Sequence, residues 1–197
     1  MIFDYPVPRL ERKHGPEGYS AYESYRPWLR DEFVFRCVYC LKREMWGQAT
    51  AEFELDHFQP QSLVPERALD YLNLVYACRR CNSVKQDQAI ADPLILLSSK
   101  TVCVMLDGTI VGTSLDSKRL IAQMDLNSPA LCRWRVIWMR IVELAKQRDT
   151  FLYQQITGFP PDLPNLGVLR PPLNSRPEGL ASSWYTMQQK GELPAEY

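Results

Sequence analysis

Two cysteine pairs with the same spacing constrain this chain more than any other feature of its sequence. Cys37 and Cys40 form the first CxxC pair, and Cys78 and Cys81 form the second. A two-residue gap lets both thiolates of a pair turn toward one ion, and four sulfur ligands suit a closed tetrahedral Zn²⁺ site. We therefore predict a structural zinc that joins the two ends of the intervening segment. Four unrelated core cysteines, or two redox pairs, are the alternatives.

Charge and hydropathy restrict the class of protein. The chain has 23 basic and 23 acidic side chains among 197 residues, so any site for a polyanion must be local. Its apolar runs are far shorter than the roughly 20 residues that cross a bilayer, and its N-terminus lacks the apolar core of a signal peptide. We expect a cytoplasmic protein with no membrane partner, in which metal ligation is favoured over disulfides.

The chain divides into four predicted parts. Asp107-Gly108 lies between two strand-like runs and predicts a β-hairpin at about residues 101–113. Residues 116–152 carry apolar side chains at a helical period. Seven of the 15 prolines follow Gly158, which predicts an extended, irregular tail. The predicted parts are an N-terminal arm and helix (1–30), a core around the cysteine pairs (31–92), a hairpin and helical extension (93–157) and a proline-rich tail (158–197).

Polar residues typical of a catalytic site lie between and beside the cysteine pairs. Asp56 and His57 end a strand-like run, Asn73 precedes a second apolar run, and Asn82 follows the last cysteine. The segments CVYC, ELDHFQPQS, LNLVYACRRCN and NSVKQD together resemble the HNH endonucleases, in the subclass whose zinc knuckle supports a ββα-metal core. The resemblance implies an α+β fold in which residues 31–92 form the HNH nuclease core, flanked by helices, the hairpin and the tail.

The same resemblance implies a role for each motif residue. His57 matches the general base, and Asn73 matches the middle residue of the catalytic motif. Asp56 and Asn82 match the first and last ligands of a catalytic divalent ion. Many HNH proteins have histidine where this chain has Asn82, a difference that bears on metal preference more than on activity. The implied activity is metal-dependent hydrolysis of DNA that leaves 5′-phosphate and 3′-hydroxyl ends.

Elementary chemistry supports these assignments without the resemblance. Hydrolysis of a phosphodiester needs a base to take a proton from water and a cation to stabilise the developing charge. A neutral imidazole such as that of His57 can act as the base, and the oxygen donors of Asp56 and Asn82 suit Mg²⁺ or Mn²⁺ better than Zn²⁺. Neighbouring side chains on a strand point to opposite faces, so Asp56 and His57 need a bulge or a strand end to meet one phosphate.

Structural roles for three of these residues remain open alternatives. Asp56 can serve as a turn cap, and Asn82 as a helix cap just after a metal knuckle. Asn73 can brace the loop between the two strands through backbone hydrogen bonds instead of taking part in catalysis.

Substrate and partners follow from the same region. Lys85 shares a helix face with Asn82, and we predict that it contacts a nucleic-acid phosphate beside Arg79 or Arg80. DNA is therefore the expected partner. The zero net charge also favours a nuclease subunit that a partner protein, such as an ATPase or sensor subunit, activates or targets in a prokaryotic defence or mobile-element system. A non-catalytic zinc-knuckle binding module is the remaining alternative.

Overall fold

The computed structural model of the protein describes residues 2–6, 11–47 and 52–197. Residues 1, 7–10 and 48–51, which include part of the expected N-terminal arm, lie outside that description. Within the described ranges the fold is α+β, as predicted, with helices of 4 to 20 residues and two separate two-stranded antiparallel sheets.

The first helix supports the core from one side. A 3-10 turn at Tyr22–Tyr25 leads directly into helix α1 (Arg26–Glu32), which has a proline in its first turn. This position suits proline, because the first N–H groups of a helix have no partner within the helix. Helix α1 is largely buried, with Trp28 and Leu29 fully enclosed in the core.

A ββα unit forms the centre of the molecule. Strands β1 (Phe53–His57) and β2 (Leu74–Cys78) pair in an unbroken antiparallel register, with Phe53 opposite Cys78 and His57 opposite Leu74. Helix α2 (Arg79–Lys85) begins at the residue after β2 and packs on both strands. Every residue of β2 is buried, so this sheet lies inside the hydrophobic core.

The predicted hairpin is confirmed. After the short helix α3 (Pro93–Leu96), strands β3 (Val102–Val104) and β4 (Ile110–Gly112) pair antiparallel. At the tip, Gly108 has φ +81°, a left-handed conformation that glycine adopts without steric penalty. A Cβ atom on Gly108 would lie 2.2 Å from the carbonyl oxygen of Cys132, so the tip also approaches its neighbour too closely for a larger residue.

A buried arginine fastens the hairpin tip to the helical extension. Three helices form that extension: α4 (Leu115–Gln123), α5 (Pro129–Arg148) and α6 (Thr150–Thr157). Arg135 of α5 is fully buried and donates hydrogen bonds of 2.6 Å to the carbonyl oxygens of Gly108 and Leu126. The guanidinium therefore serves the fold from within, although it belongs to a helix rich in basic side chains.

Aromatic packing connects α5 to the segments that precede β1. Trp138 stacks on Trp46 with ring centroids 4.5 Å apart, and Trp134 meets the same ring edge-on at 5.8 Å. Phe3 packs edge-on against both Trp46 and Trp134. The tryptophans of α5 thus pack against the core.

The C-terminal tail differs from the extended segment that its prolines predict. It contains two 3-10 turns and a helix, α7 (Trp184–Lys190). The hydroxyl of Ser183 caps the start of α7, and Gly191 ends it in the left-handed region. The residues of α7 include no proline, so the composition of the tail as a whole concealed this helix. None of the helices in the described ranges is both long and apolar enough to cross a membrane.

Candidate active site

The four cysteines of the two CxxC pairs converge at one buried point. Their sulfur atoms all lie within 4.8 Å of one another, and those of Cys40 and Cys78 are 3.7 Å apart. Four sulfur ligands at about 2.3 Å from a tetrahedral ion are about 3.8 Å from one another, so this geometry suits zinc. Hydrogen bonds from the other three cysteines lower the pKa of Cys78, whereas burial raises the pKa of Cys37 and hydrogen bonds with the other cysteines raise that of Cys81, so the cluster by itself favours one thiolate.

Local structure explains how each pair reaches the metal point. The first pair lies in a tight turn, in which the amide of Leu41 donates to the carbonyl of Cys37, and Leu41 itself is left-handed at φ +62°. In the second pair, Cys78 ends β2 and Cys81 lies in the first turn of α2. Metal ligation at these positions would fix the junction between β2 and α2, and with it the position of Asn82.

His57 is the last residue of β1 and is held by the loop between the strands. Its Nε2 atom lies 2.8 Å from the carbonyl oxygen of Ala68. A carbonyl only accepts, so in the neutral ring Nε2 carries the hydrogen and Nδ1 keeps a lone pair. The amide nitrogen of Gln61 lies beside the ring, 3.2 Å from Nδ1 and 3.0 Å from Nε2, and the ring of Tyr22 meets the imidazole edge-on at 4.9 Å. This environment leaves Nδ1 as the basic atom.

Asp56 is almost completely buried, and each of its oxygens has a protein partner. The hydroxyl of Tyr39 donates to Oδ2 at 2.6 Å, and the ammonium of Lys85 lies 2.9 Å from Oδ1. Burial and then the charge of Asp56 raise the pKa of Tyr39 well above its ordinary value, so its hydroxyl remains a donor. The side chains of Asp56 and Lys85 are 4% and 1% exposed, which makes them a buried ion pair.

Helix α2 presents polar side chains to the acidic residues of β1. Arg79, Asn82 and Lys85 recur every three residues on one side of α2. Opposite them, Glu54 accepts from the amide nitrogen of Asn82 at 2.6 Å and from Nε of Arg79 at 3.2 Å. The other end of the Asn82 amide, its oxygen, is the atom that can ligate a cation.

A polar cleft of about 330 Å³ brings together three of the predicted motif residues, Asp56, His57 and Asn82. Three consecutive residues of β1 line it, although their side chains alternate between faces, so the cleft follows the edge of β1 that does not pair with β2. The unbroken register shows that no bulge interrupts the strand within residues 53–57. Of the two expected arrangements, a bulge or a strand end, the structure has the strand end, at His57. The main polar residues of this wall are Asp56, His57, Gln61, Asn82, Lys85 and Asp87.

Asn73 is fully buried and contributes to the site through the loop. Its side-chain oxygen accepts from the amide of Gln59 at 3.0 Å, and its nitrogen donates to the carbonyls of Gln59 and Arg67 at 2.9 and 3.2 Å. These bonds join both ends of the segment that carries Ala68, the partner of His57. In this geometry Asn73 holds the loop and does not line the cleft.

The predicted phosphate contacts on α2 all have acidic partners within the protein. Lys85 is buried against Asp56, and Arg79 pairs with Glu54. The guanidinium of Arg80 contacts Asp125 at 2.6 Å, in the turn between α4 and α5. Their role in nucleic-acid binding stays a prediction.

Comparison with known families agrees with this geometry. Residues 37–88 match the family model described as HNH endonuclease. The chain carries an HNH domain. The match begins at Cys37 and includes the second cysteine pair, Asp56, His57 and the whole of α2. No curated protein is similar enough in sequence to count as a match.

The HNH domain also offers donors for a catalytic divalent ion. The carboxylate of Asp56 and the amide oxygen of Asn82 are hard ligands in one cleft, which suits Mg²⁺ or Mn²⁺ with water completing the shell. The buried ammonium of Lys85 against Asp56 shows that this carboxylate already holds a cation. Within the described ranges, the four cysteines are the one group of three or more His, Cys, Asp or Glu side chains that converges on a point.

Sequence reasoning missed three residues of the HNH domain that contact the motif. Tyr39 lies inside the first CxxC pair, and nothing in the sequence indicated that its hydroxyl reaches Asp56. Glu54 precedes Asp56 by two residues, and this strand alternation was the signal that could have placed both carboxylates on one face. Gln61 carried no signal, because its approach to His57 depends on the path of the loop.

Proposed function

We propose that this protein is a metal-dependent endonuclease that hydrolyses DNA phosphodiester bonds. One observation carries the proposal: His57 has one ring nitrogen bonded to a backbone carbonyl, and it shares a cleft with Asp56 and Asn82. A non-catalytic zinc-knuckle module needs no imidazole held in this way beside two oxygen donors.

The residues of the cleft have separate tasks in this proposal. Nδ1 of His57 takes a proton from the attacking water, and the bond from Nε2 to Ala68 sets the tautomer and orients the ring. Asn73 maintains the loop that carries Ala68. A divalent ion held by Asp56 and Asn82 would stabilise charge on the phosphate and on the leaving oxygen.

The zinc site has a structural task in the same proposal. A closed site of four thiolates leaves no open position for substrate, so zinc at the cysteines supports the fold and takes no part in the chemistry. It fixes Tyr39, which donates to Asp56, and the start of α2, which carries Asn82. Both ends of the catalytic cleft therefore depend on the knuckle.

Replacement of His57 tests the proposal. Zinc-replete protein should cleave plasmid DNA in Mg²⁺ or Mn²⁺, and His57→Ala should reduce the rate by at least about 10²-fold, the low end for a lost general base. The exposed Lys118→Ala variant is the control and should retain the parental rate. Circular dichroism and zinc content establish that each variant is folded. Parental cleavage by folded His57→Ala would refute the base assignment.

A second candidate function is a nuclease subunit that a partner targets. The chain has no net charge, and the three cations of α2 are engaged with acidic side chains, so the basic surface beside the cleft is small. Nucleic-acid affinity depends on such a surface. An ATPase or sensor subunit of a defence system is the kind of partner that would supply it. Weak DNA binding by the isolated chain, with cleavage that appears only when the DNA is tethered to it, would favour this candidate.

A further inference from the structure

Asp56 is paired with a cation of the protein itself, the ammonium group of Lys85. The Lys85 ammonium contacts Oδ1 at 2.9 Å and also donates to the carbonyl of Gln86 at 3.3 Å. Lys85 is 1% exposed, although it lies on a short helix beside an open cleft. A charged lysine is rarely enclosed to this extent without a partner that matches its charge. Asp56 is that partner.

The same carboxylate is the expected anionic ligand of the catalytic ion. Tyr39 already occupies Oδ2, so a divalent ion that approaches Asp56 meets the oxygen that Lys85 holds. Two cations beside one carboxylate repel each other strongly in a partly buried site. The ammonium must move away, or the ion binds weakly.

We propose that Lys85 is the built-in competitor of the catalytic divalent ion: it occupies Asp56 when no substrate is present, and yields that carboxylate when a substrate phosphate offers its ammonium a new partner. The inference rests on the proposed function, because it takes Asp56 as a ligand of the ion. Lys85 is a positioning residue in this scheme, since it acts through Asp56.

The geometry of α2 gives the exchange a short path. Lys85 lies one helical turn after Asn82, and both side chains line the cleft that would receive the scissile phosphate. A phosphate oxygen at the ion would therefore lie near the ammonium as well. Ion and nucleic acid should then strengthen each other's binding by the same factor, because coupling between two ligands is reciprocal. Without nucleic acid, the cleft would therefore bind a divalent ion only weakly.

Mn²⁺ binding to the zinc-replete protein tests the competition directly. Free Mn²⁺ is measured by electron paramagnetic resonance for the parent, for Lys85→Met and Lys85→Gln, and for the exposed control Lys118→Met. The neutral Lys85 variants should bind Mn²⁺ at least about tenfold more tightly than the parent, a factor equivalent to about 1.4 kcal/mol. Lys118→Met should match the parent. Equal or weaker Mn²⁺ binding in both folded Lys85 variants would overturn the proposal.

Instability of the variants does not prevent the test. Removal of Lys85 leaves a buried carboxylate without its counter-charge, so both variants can melt early. In that case Mn²⁺ should raise the melting temperature of each variant by several degrees more than that of the parent, because the ion takes the place of the ammonium. Failure of Mn²⁺ to stabilise the variants would count against the competition as surely as unchanged affinity.

A second measurement tests the coupling to substrate. In a His57→Ala background, which prevents cleavage, a duplex DNA oligonucleotide should tighten Mn²⁺ binding, and Lys85→Met should abolish most of that gain. The readout is Mn²⁺ affinity, so it separates two kinds of failure. Tighter Mn²⁺ binding in Lys85→Met with no cleavage by the parent would keep the competition and refute the nuclease. Cleavage by the parent, with Mn²⁺ affinity unchanged in Lys85→Met, would keep the nuclease and refute the competition.

Discussion

The side chain of Asn82 has two chemically different ends, and each makes a different demand on the site. Its nitrogen donates to Glu54, which orients the amide, and its oxygen remains to ligate an ion. We predict that Asn82→Ala loses most of the cleavage activity without releasing zinc, since Cys81 stays in place. Asn82→His should shift the preferred ion from Mg²⁺ toward Mn²⁺, Ni²⁺ or Zn²⁺, because imidazole supplies a nitrogen donor.

Cleavage rates across these four ions, with zinc content measured before and after, decide the role of Asn82. Glu54→Gln is a matched control, because it keeps a partner for the Asn82 amide and leaves the ligand atom unchanged. The structure excludes the capping role, because Asn82 is the fourth residue of α2; an identical ion profile in Asn82→His and the parent would therefore mean that Asn82 only binds Glu54. Full activity in Asn82→Ala would give the same answer.

At this scale the sequence predicted the motif residues that line the cleft better than it predicted their partners. Asp56 and His57 are adjacent in the chain, and spacing alone related them to the cysteine pairs. The contacts that determine their chemistry depend on how α2, the knuckle and the loop come together, as with Lys85, Tyr39 and the carbonyl of Ala68. Lys85, a cation expected to face phosphate, pairs with Asp56, and only the tertiary structure reveals this contact.

The hairpin tip allows an element-scale test with a matched pair of glycines. Gly108 and Gly191 both have positive φ, but a Cβ on Gly108 would meet the carbonyl of Cys132 at 2.2 Å, whereas nothing lies within 4 Å of one on Gly191. Alanine at Gly191 should therefore lower the free energy of unfolding only by the left-handed penalty, about 1–2 kcal/mol. Alanine at Gly108 should cost about 1 kcal/mol more, because the hairpin must also move away from α5.

Urea denaturation of the two variants and the parent measures the difference. Equal losses would show that the hairpin tip shifts freely and that its packing on α5 contributes little.

The same hairpin shows why sequence reasoning succeeds for local elements. Asp107-Gly108 specifies a turn through backbone conformation alone, whereas Arg135 reaches the tip from a helix that begins more than 20 residues later. Helix α7 was missed because its short-range signals lie within a proline-rich tail.

The two ends of the chain meet on α1, and one buried charge pair joins them. Nε2 of His14 lies 2.8 Å from Asp31, and the other carboxylate oxygen of Asp31 accepts from the backbone amide of Trp184. Asp31 thus links the N-terminal arm and α7 to the helix that packs on β2. These contacts span most of the sequence, so no local pattern could have predicted them.

The His14 pair makes stability depend on pH in a defined direction. Burial alone would lower the pKa of His14, but its hydrogen bond with Asp31 and the charge of Glu32 outweigh burial and raise it. The protonated ring therefore favours the folded state. This contribution is fully present below about pH 6.5, the ordinary histidine value, and is lost as pH rises through the raised value. Zinc binding follows the opposite trend, because thiolate ligands form more readily as pH rises.

Comparison with His14→Gln separates the two trends. Glutamine can still donate to Asp31 but cannot become charged, so the zinc contribution is common to both proteins and cancels in the difference. The stability advantage of the parent over the variant, measured by urea denaturation at constant free zinc, should be largest near pH 6 and should shrink steadily toward pH 9. An advantage that stays constant over this range would mean that His14 contributes packing and a neutral hydrogen bond, without a proton taken up on folding. An advantage that grows with pH would mean that burial dominates and that the ring folds in its neutral form.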